Sequence, residues 1–156
     1  MTQFNAVVYT DGSCHTQLRT GAWVAILLIG TEKIILSETV TDTTHNRMEL
    51  TAVIAAIQHV LLHYPHVTQV QVFSDSQYVI NLPDREAQLM TRHFITKKGN
   101  ELQNSALVKT FLQLLTRISV ELVKIKAHQK KSEAVNYNIE ADMLSRKLVR
   151  EKTNGI

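Results

Sequence analysis

The sequence predicts an α/β protein on a five-stranded mixed sheet, the first three strands antiparallel, the others parallel to the first, with helices on both faces. Three observations predict it. Five apolar, β-branched runs stand between polar turns, at residues 4–10, Gly21–Ile29, Lys33–Val40, Thr68–Ser74 and Ser119–Lys126. The first three are joined by short connections, which favour antiparallel neighbours. The last two are each reached through helical stretches, which favours parallel pairing.

Residues 4–10 are apolar on both faces, so this strand is expected at the centre of a covered sheet. A polar loop, Gly12–Thr20, leads to Gly21–Ile29, and Gly30-Thr31-Glu32 turns the chain into Lys33–Val40. From Asn46 to His63 the period becomes helical: Leu50, Ile54, Ile57 and Leu61 share a face, and Pro65 closes the segment. After Thr68–Ser74, a short helix should start near Ser76 and stop before Pro83. Residues 84–101 read as polar and irregular, with a turn at Lys97-Lys98-Gly99. Leu102–Arg117 is helical through Leu107, Phe111, Leu114 and Leu115, and Ser119–Lys126 alternates as a strand. Ala127–Val135 reads as a loop and Asn136–Glu151 as the last helix.

No linker, repeat or low-complexity tract divides the 156 residues, so one domain over 1–156 is expected. A lone cysteine, Cys14, excludes an internal disulfide framework. Neither a signal peptide nor a membrane-length apolar run is visible, which makes a cytoplasmic location the expectation. The net charge of +3 permits a nucleic-acid partner without requiring one. Its distribution is uneven: Lys124–Lys152 holds eight lysines and arginines against four acids. Taken alone, that run is a solvated helix face and a basic tail.

Four acids carry the chemistry. Asp11 ends the first apolar run and Asp75 the fourth, Glu49 opens the long helix, and Asp142 stands at the start of the last helical stretch. If the first and fourth strands are parallel neighbours, Asp11 and Asp75 emerge together at their carboxyl ends, where sites lie in open α/β sheets. Singly, each has an ordinary explanation as a turn residue, a first-turn helix acid or a surface acid. Together they repel one another unless cations lie between them. Hard oxygen donors without paired histidines or thiolates suit Mg²⁺ or Mn²⁺ rather than zinc. Two such ions about 4 Å apart can activate a water and stabilise a leaving oxygen in phosphodiester hydrolysis.

The segments Thr10-Asp11-Gly12-Ser13-Cys14, Asn46-Arg47-Met48-Glu49-Leu50, Ser74-Asp75-Ser76-Gln77-Tyr78-Val79, and Lys126-Ala127-His128 followed by Asn138–Asp142 resemble the signature set of type 1 ribonuclease H. The resemblance runs over nearly the whole chain in the right order and implies the RNase H-like fold. It implies hydrolysis of the RNA strand of an RNA–DNA hybrid, with Asp11, Glu49, Asp75 and Asp142 as catalytic, metal-binding carboxylates. Two Mg²⁺ ions, replaceable by Mn²⁺, are the implied cofactors. His128 takes the place of a loop histidine that moves a proton or assists product release. Gly12, Ser13, Cys14, Asn46, Gln77 and Glu49 would lie along the RNA strand. Tyr78 would face deoxyribose, although a tyrosine beside a buried strand end is as often part of the core. Thr44 and Asn104 would hold a DNA phosphate.

Several positions depart from the pattern. Residues 81–118 lack the tryptophan that many relatives carry in a basic protrusion, Ala127 replaces a common glycine, and Ile139 stands where glutamate is frequent. The other histidines (His15, His45, His59, His63, His66, His93) are expected on the surface, with His45 a candidate exception. A monomer is expected, with the hybrid as partner. Two other readings stay open at this point: an integrase- or transposase-like nuclease on the same sheet, and a catalytically silent hybrid- or RNA-binding module.

Overall fold

In the computed structural model, which describes residues 4–95, 103–125 and 133–154, the backbone pairs into one five-stranded sheet of order β3-β2-β1-β4-β5. β1 (Phe4–His15), β2 (Thr20–Ile29) and β3 (Glu32–Val40) form an antiparallel meander. α1 (His45–His63) then crosses to β4 (Val67–Ser74), which lies parallel to β1. Next come α2 (Gln77–Asn81), a 3-10 turn at Pro83–Arg85, α3 (Glu86–Thr91) and α4 (Ser105–Leu114). β5 (Ser119–Lys124) pairs parallel to β4, and α5 (Glu133–Thr153) ends the chain. The predicted mixed topology is the observed one.

Alternation along the strands builds two apolar layers. On one face Ala6 and Val8 of β1 and Trp23, Ala25 and Leu27 of β2 pack against Leu50, Val53 and Ile57 of α1, with α4 adding Val108 and Phe111. On the other, Tyr9, Val24 and Ile26 meet Tyr137, Ala141, Leu144 and Leu148 of α5. Tyr9 stacks on Phe73 and on Tyr137, with ring centroids 5.0 Å apart in each pair. Helices therefore cover both faces. α1 starts where Thr44 accepts a 3.2 Å hydrogen bond from the Arg47 N–H, and it ends at Tyr64, just before Pro65. Each fully buried Leu, Ile or Val on its inner face contributes about 1.5–3 kcal/mol.

Four local expectations need correction. β1 does not stop at residue 10: Asp11 to His15 stay in the ladder, pairing from Asp11 with Val24 to His15 with Thr20. Backbone pairing sets strand length there, and a polarity pattern does not register it. Residues 86–91, expected irregular, are helical, and α3 buries Leu89 in the main core. α4 is shorter than predicted because Asn104 (φ 62°) takes a left-handed conformation that ends any helix entering from its N-terminal side. α5 begins at Glu133 and so takes in part of the expected loop. Asp142 consequently lies near the middle of this 21-residue helix and not at its start.

Candidate active site

Register brings the first two acids together. Tyr9 of β1 pairs with Phe73 of β4, so Asp11 and Asp75, each two residues further on, lie at the same level of adjacent parallel strands. The third comes from α1, which crosses this edge at Gly12. A Cβ on Gly12 would stand 2.6 Å from the Glu49 backbone nitrogen and 2.8 Å from the Met48 carbonyl carbon, so only glycine lets helix and strand approach this closely. As a result Asp11, Glu49 and Asp75 each present a ligand oxygen, all within 4.8 Å of one another.

Burial and mutual repulsion shape the charge of this trio. Asp11 and Glu49 are buried, and Asp75 opens to solvent. Loss of solvation, followed by the charges of Glu49, Asp75 and Asp142, pushes the Asp11 carboxyl up to about 9, against a small opposing effect of the Ser145 hydrogen bond. Burial likewise raises Glu49, opposed by a hydrogen bond from His45. Burial raises Asp75, opposed by the positive charge of His45. One buried oxygen, Glu49 Oε2, has no hydrogen-bond partner. Hard carboxylate oxygens, crowded and under-satisfied, with Asp75 exposed to solvent, fit a divalent cation with oxygen preference.

The remaining predicted residues distribute as follows. Asp142 lies outside the 4.8 Å trio, but its charge raises both Asp11 and Asp75, so α5 turns it toward the same edge. Arg146, one turn on, donates to Asp142 Oδ1 at 2.9 Å. Gly12, Ser13 and Cys14 continue β1 beside Asp11, and the Cys14 thiol, 3.6 Å from the Thr43 carbonyl oxygen, is pushed up by burial. Asn46 is exposed in the first turn of α1. Gln77 is exposed: its amide oxygen accepts from Lys124 Nζ and its Nε2 donates to Asn81 Oδ1 at 2.6 Å. Tyr78 is half-buried against the main core. His128 and the Lys97-Lys98-Gly99 turn lie outside the described residues.

Two contributors, Ser145 and Arg47, were not singled out as site residues in the sequence, and a third, His45, stood out only as an exception among the histidines. His45 Nε2 lies 3.1 Å from Glu49 Oε1, and that hydrogen bond raises the imidazole's pKa; the i,i+4 spacing was the available signal. The Ser145 hydroxyl lies 3.1 Å from both Asp11 Oδ2 and the Asp142 carbonyl oxygen, tying α5 to β1 at the site. Its spacing of three from Asp142 is a helical neighbour signal that needs the helix to be placed first. Arg47 reaches Asn104 Oδ1 at 3.5 Å while its N–H bonds Thr44, so Thr44, Arg47 and Asn104 form one polar group.

A five-stranded mixed sheet with carboxylates gathered at the carboxyl ends of its central parallel strands is an arrangement able to hold divalent cations. The RNase H family model matches residues 3–150, and the chain belongs to that family. Ribonuclease H of Chlorobium luteolum is 36% identical over 153 residues, covering 96% of this chain and 99% of that protein. Ribonuclease H of Moorella thermoacetica is 34% identical over 128 residues, 81% of this chain and 82% of that one. Among solved structures, LC9-RNase H1, described as a type 1 RNase H with the type 2 active-site motif, superposes with a TM-score of 0.80 at 21% identity, covering 98% of this chain and 75% of that one. A foamy viral protease-reverse transcriptase in complex with dsDNA gives 0.73 at 21% identity, covering 94% of each chain. At that identity the two structures speak for the fold, and the family and its curated relatives make this chain an enzyme of the ribonuclease H type.

Proposed function

We propose that the protein hydrolyses the RNA strand of RNA–DNA hybrids, leaving 5′-phosphate and 3′-hydroxyl ends, with Asp11, Glu49, Asp75 and Asp142 as the metal-holding carboxylates. The observation that carries the reading is the convergence of oxygens from Asp11, Glu49 and Asp75 within 4.8 Å at an open sheet edge. Two Mg²⁺ ions, or Mn²⁺ in their place, would supply water activation and neutralisation of charge on the leaving oxygen. The protein's own part is positional. β1 and β4 hold two carboxylates in register, Gly12 seats the third, and Ser145 orients Asp11 through a hydrogen bond to Oδ2.

On the same reading, His128 moves a proton or assists product departure. The backbone of Gly12–Cys14, with Asn46 and Gln77, follows the RNA strand, where a 2′-hydroxyl can be sensed. Thr44 and Asn104 hold a DNA phosphate, and the Arg47 guanidinium between them adds the charge that a phosphate needs. Tyr78 faces deoxyribose with whatever part of its ring the core leaves free. Residues 1–156 act as one domain in this reading, and as a monomer.

The test is a set of labelled substrates (hybrid, RNA duplex, DNA duplex, single-stranded RNA), each with Mg²⁺, Mn²⁺ or EDTA. Cutting of the hybrid's RNA strand alone, dependent on metal, is expected. Comparable cutting of DNA duplex would instead favour an integrase-like nuclease. Hybrid binding without any cleavage would favour a silent binding module.

A further inference from the structure

The carboxylate edge also carries a cation that the reading above does not use. β5 ends at Lys124, which pairs with Ser74, the residue before Asp75. The Ile125 N–H donates to the Ser74 carbonyl oxygen at 2.9 Å, so the end of β5 is fixed against the end of β4. Val120 and Leu122 of β5 pack into the α1-side core, and strand alternation puts Lys124 on that same side, where α2 begins. Its ammonium donates to the Gln77 amide oxygen, and the Gln77 amide nitrogen in turn donates to Asn81. Among the described residues Lys124 forms no ion pair, although five such pairs are made elsewhere. Its charge nonetheless reaches the site, where it acts on Asp75.

We propose that Lys124 is a substrate-positioning residue that binds a phosphate of the RNA strand beside the cleaved bond and orients the Gln77 amide toward that strand. This rests on the hybrid-cleaving reading. An exposed lysine whose one hydrogen bond among the described residues goes to a neutral amide keeps most of its charge for an anion, and the anion that comes to this edge is the substrate backbone. Lysine serves such a contact as a point charge on a flexible stem. Because Lys124 takes the amide oxygen of Gln77 and Asn81 takes an amide hydrogen, Gln77 is left in one orientation, with its second amide hydrogen free to donate to the RNA. The lysine stands in place before substrate arrives, so it contributes to binding rather than to the chemical step.

The experiment compares wild type with Lys124→Met, which keeps the stem without the charge, and Lys124→Arg, which keeps the charge. Hybrid cleavage is measured under steady-state conditions from low to moderate salt. Lys124→Met should raise KM about 5- to 20-fold with kcat within about threefold, while Lys124→Arg stays near wild type. The dependence of log KM on log salt should flatten by about one phosphate's worth, roughly 0.7–0.9 in slope. An unchanged KM and slope, or a fall in kcat at constant KM, would overturn the assignment, the latter by placing the effect on the carboxylates. Should Lys124→Met unfold, Lys124→Gln decides by the same criteria. If wild type does not cleave hybrid, the functional reading fails first; the salt slope of hybrid binding by wild type and Lys124→Met still judges the phosphate contact.

Discussion

At the scale of single residues, the site is a balance between charges that repel and neighbours that hold them in place. Asp75 is the clearest probe, because it is exposed, is not needed to pack the core, and faces two buried acids. Asp75→Asn keeps its shape and removes one negative charge. Activity on hybrid should fall by at least about 1000-fold, since the metals would lose a ligand that nothing replaces. In the metal-free protein the same change removes repulsion, so its melting temperature should equal or exceed that of wild type. Measured turnover near wild type, in protein freed of contaminating nuclease, would rule the residue out as a ligand.

Among the elements, the decisive relation is the crossing of α1 over β1. Their separation is set at Gly12, where an added Cβ would meet backbone atoms of Met48 and Glu49 rather than the flexible end of a side chain. Gly12→Ala must therefore push the helix away from the strand. Overpacking of this kind costs about 1–3 kcal/mol. It also carries Glu49 away from Asp11 and Asp75, so kcat should fall at least about 100-fold. Denaturant unfolding and single-turnover cleavage measure the two effects separately. A variant with reduced stability and intact turnover would mean that the close approach serves packing alone.

For the whole molecule, the carboxylate cluster is a destabilising element that a bound cation would turn into a stabilising one. Asp11, Glu49 and Asp75 all titrate above their ordinary values of 3.8, 4.5 and 3.8, Asp11 at about 9. The native state then binds more protons than the unfolded chain between the ordinary and the raised values. Stability is accordingly full below the ordinary carboxylate range and is lost as pH rises through the raised values. His45, also raised, acts in the same sense. In EDTA the melting temperature should decline from about pH 5 to pH 9, and millimolar Mg²⁺ should remove most of that decline by binding the ionised cluster. Asp11→Asn should flatten the metal-free profile. A metal-free profile already flat in wild type would mean that the acids are not coupled as their geometry implies.

Strand directions, the helices on both faces of the sheet and the acids at the ends of its strands were all legible in the chain itself. Apolar alternation fixes which face each residue joins, and short or helical connections set strand direction, both being local properties. The motifs around Asp11, Glu49, Asp75 and Asp142 were legible for the same reason, since each is a contiguous run. Only the tertiary structure decided how long β1 is, because its last residues are polar and are held by pairing with Thr20–Val24. It alone placed Asp142 in mid-helix and brought Ser145 to Asp11 across 134 residues of sequence. It also put Lys124 against Gln77, 47 positions away. Contacts between distant segments depend on register and on the distance at which elements pack. No window of sequence contains those two quantities, and on them depends whether four separate acids become one site.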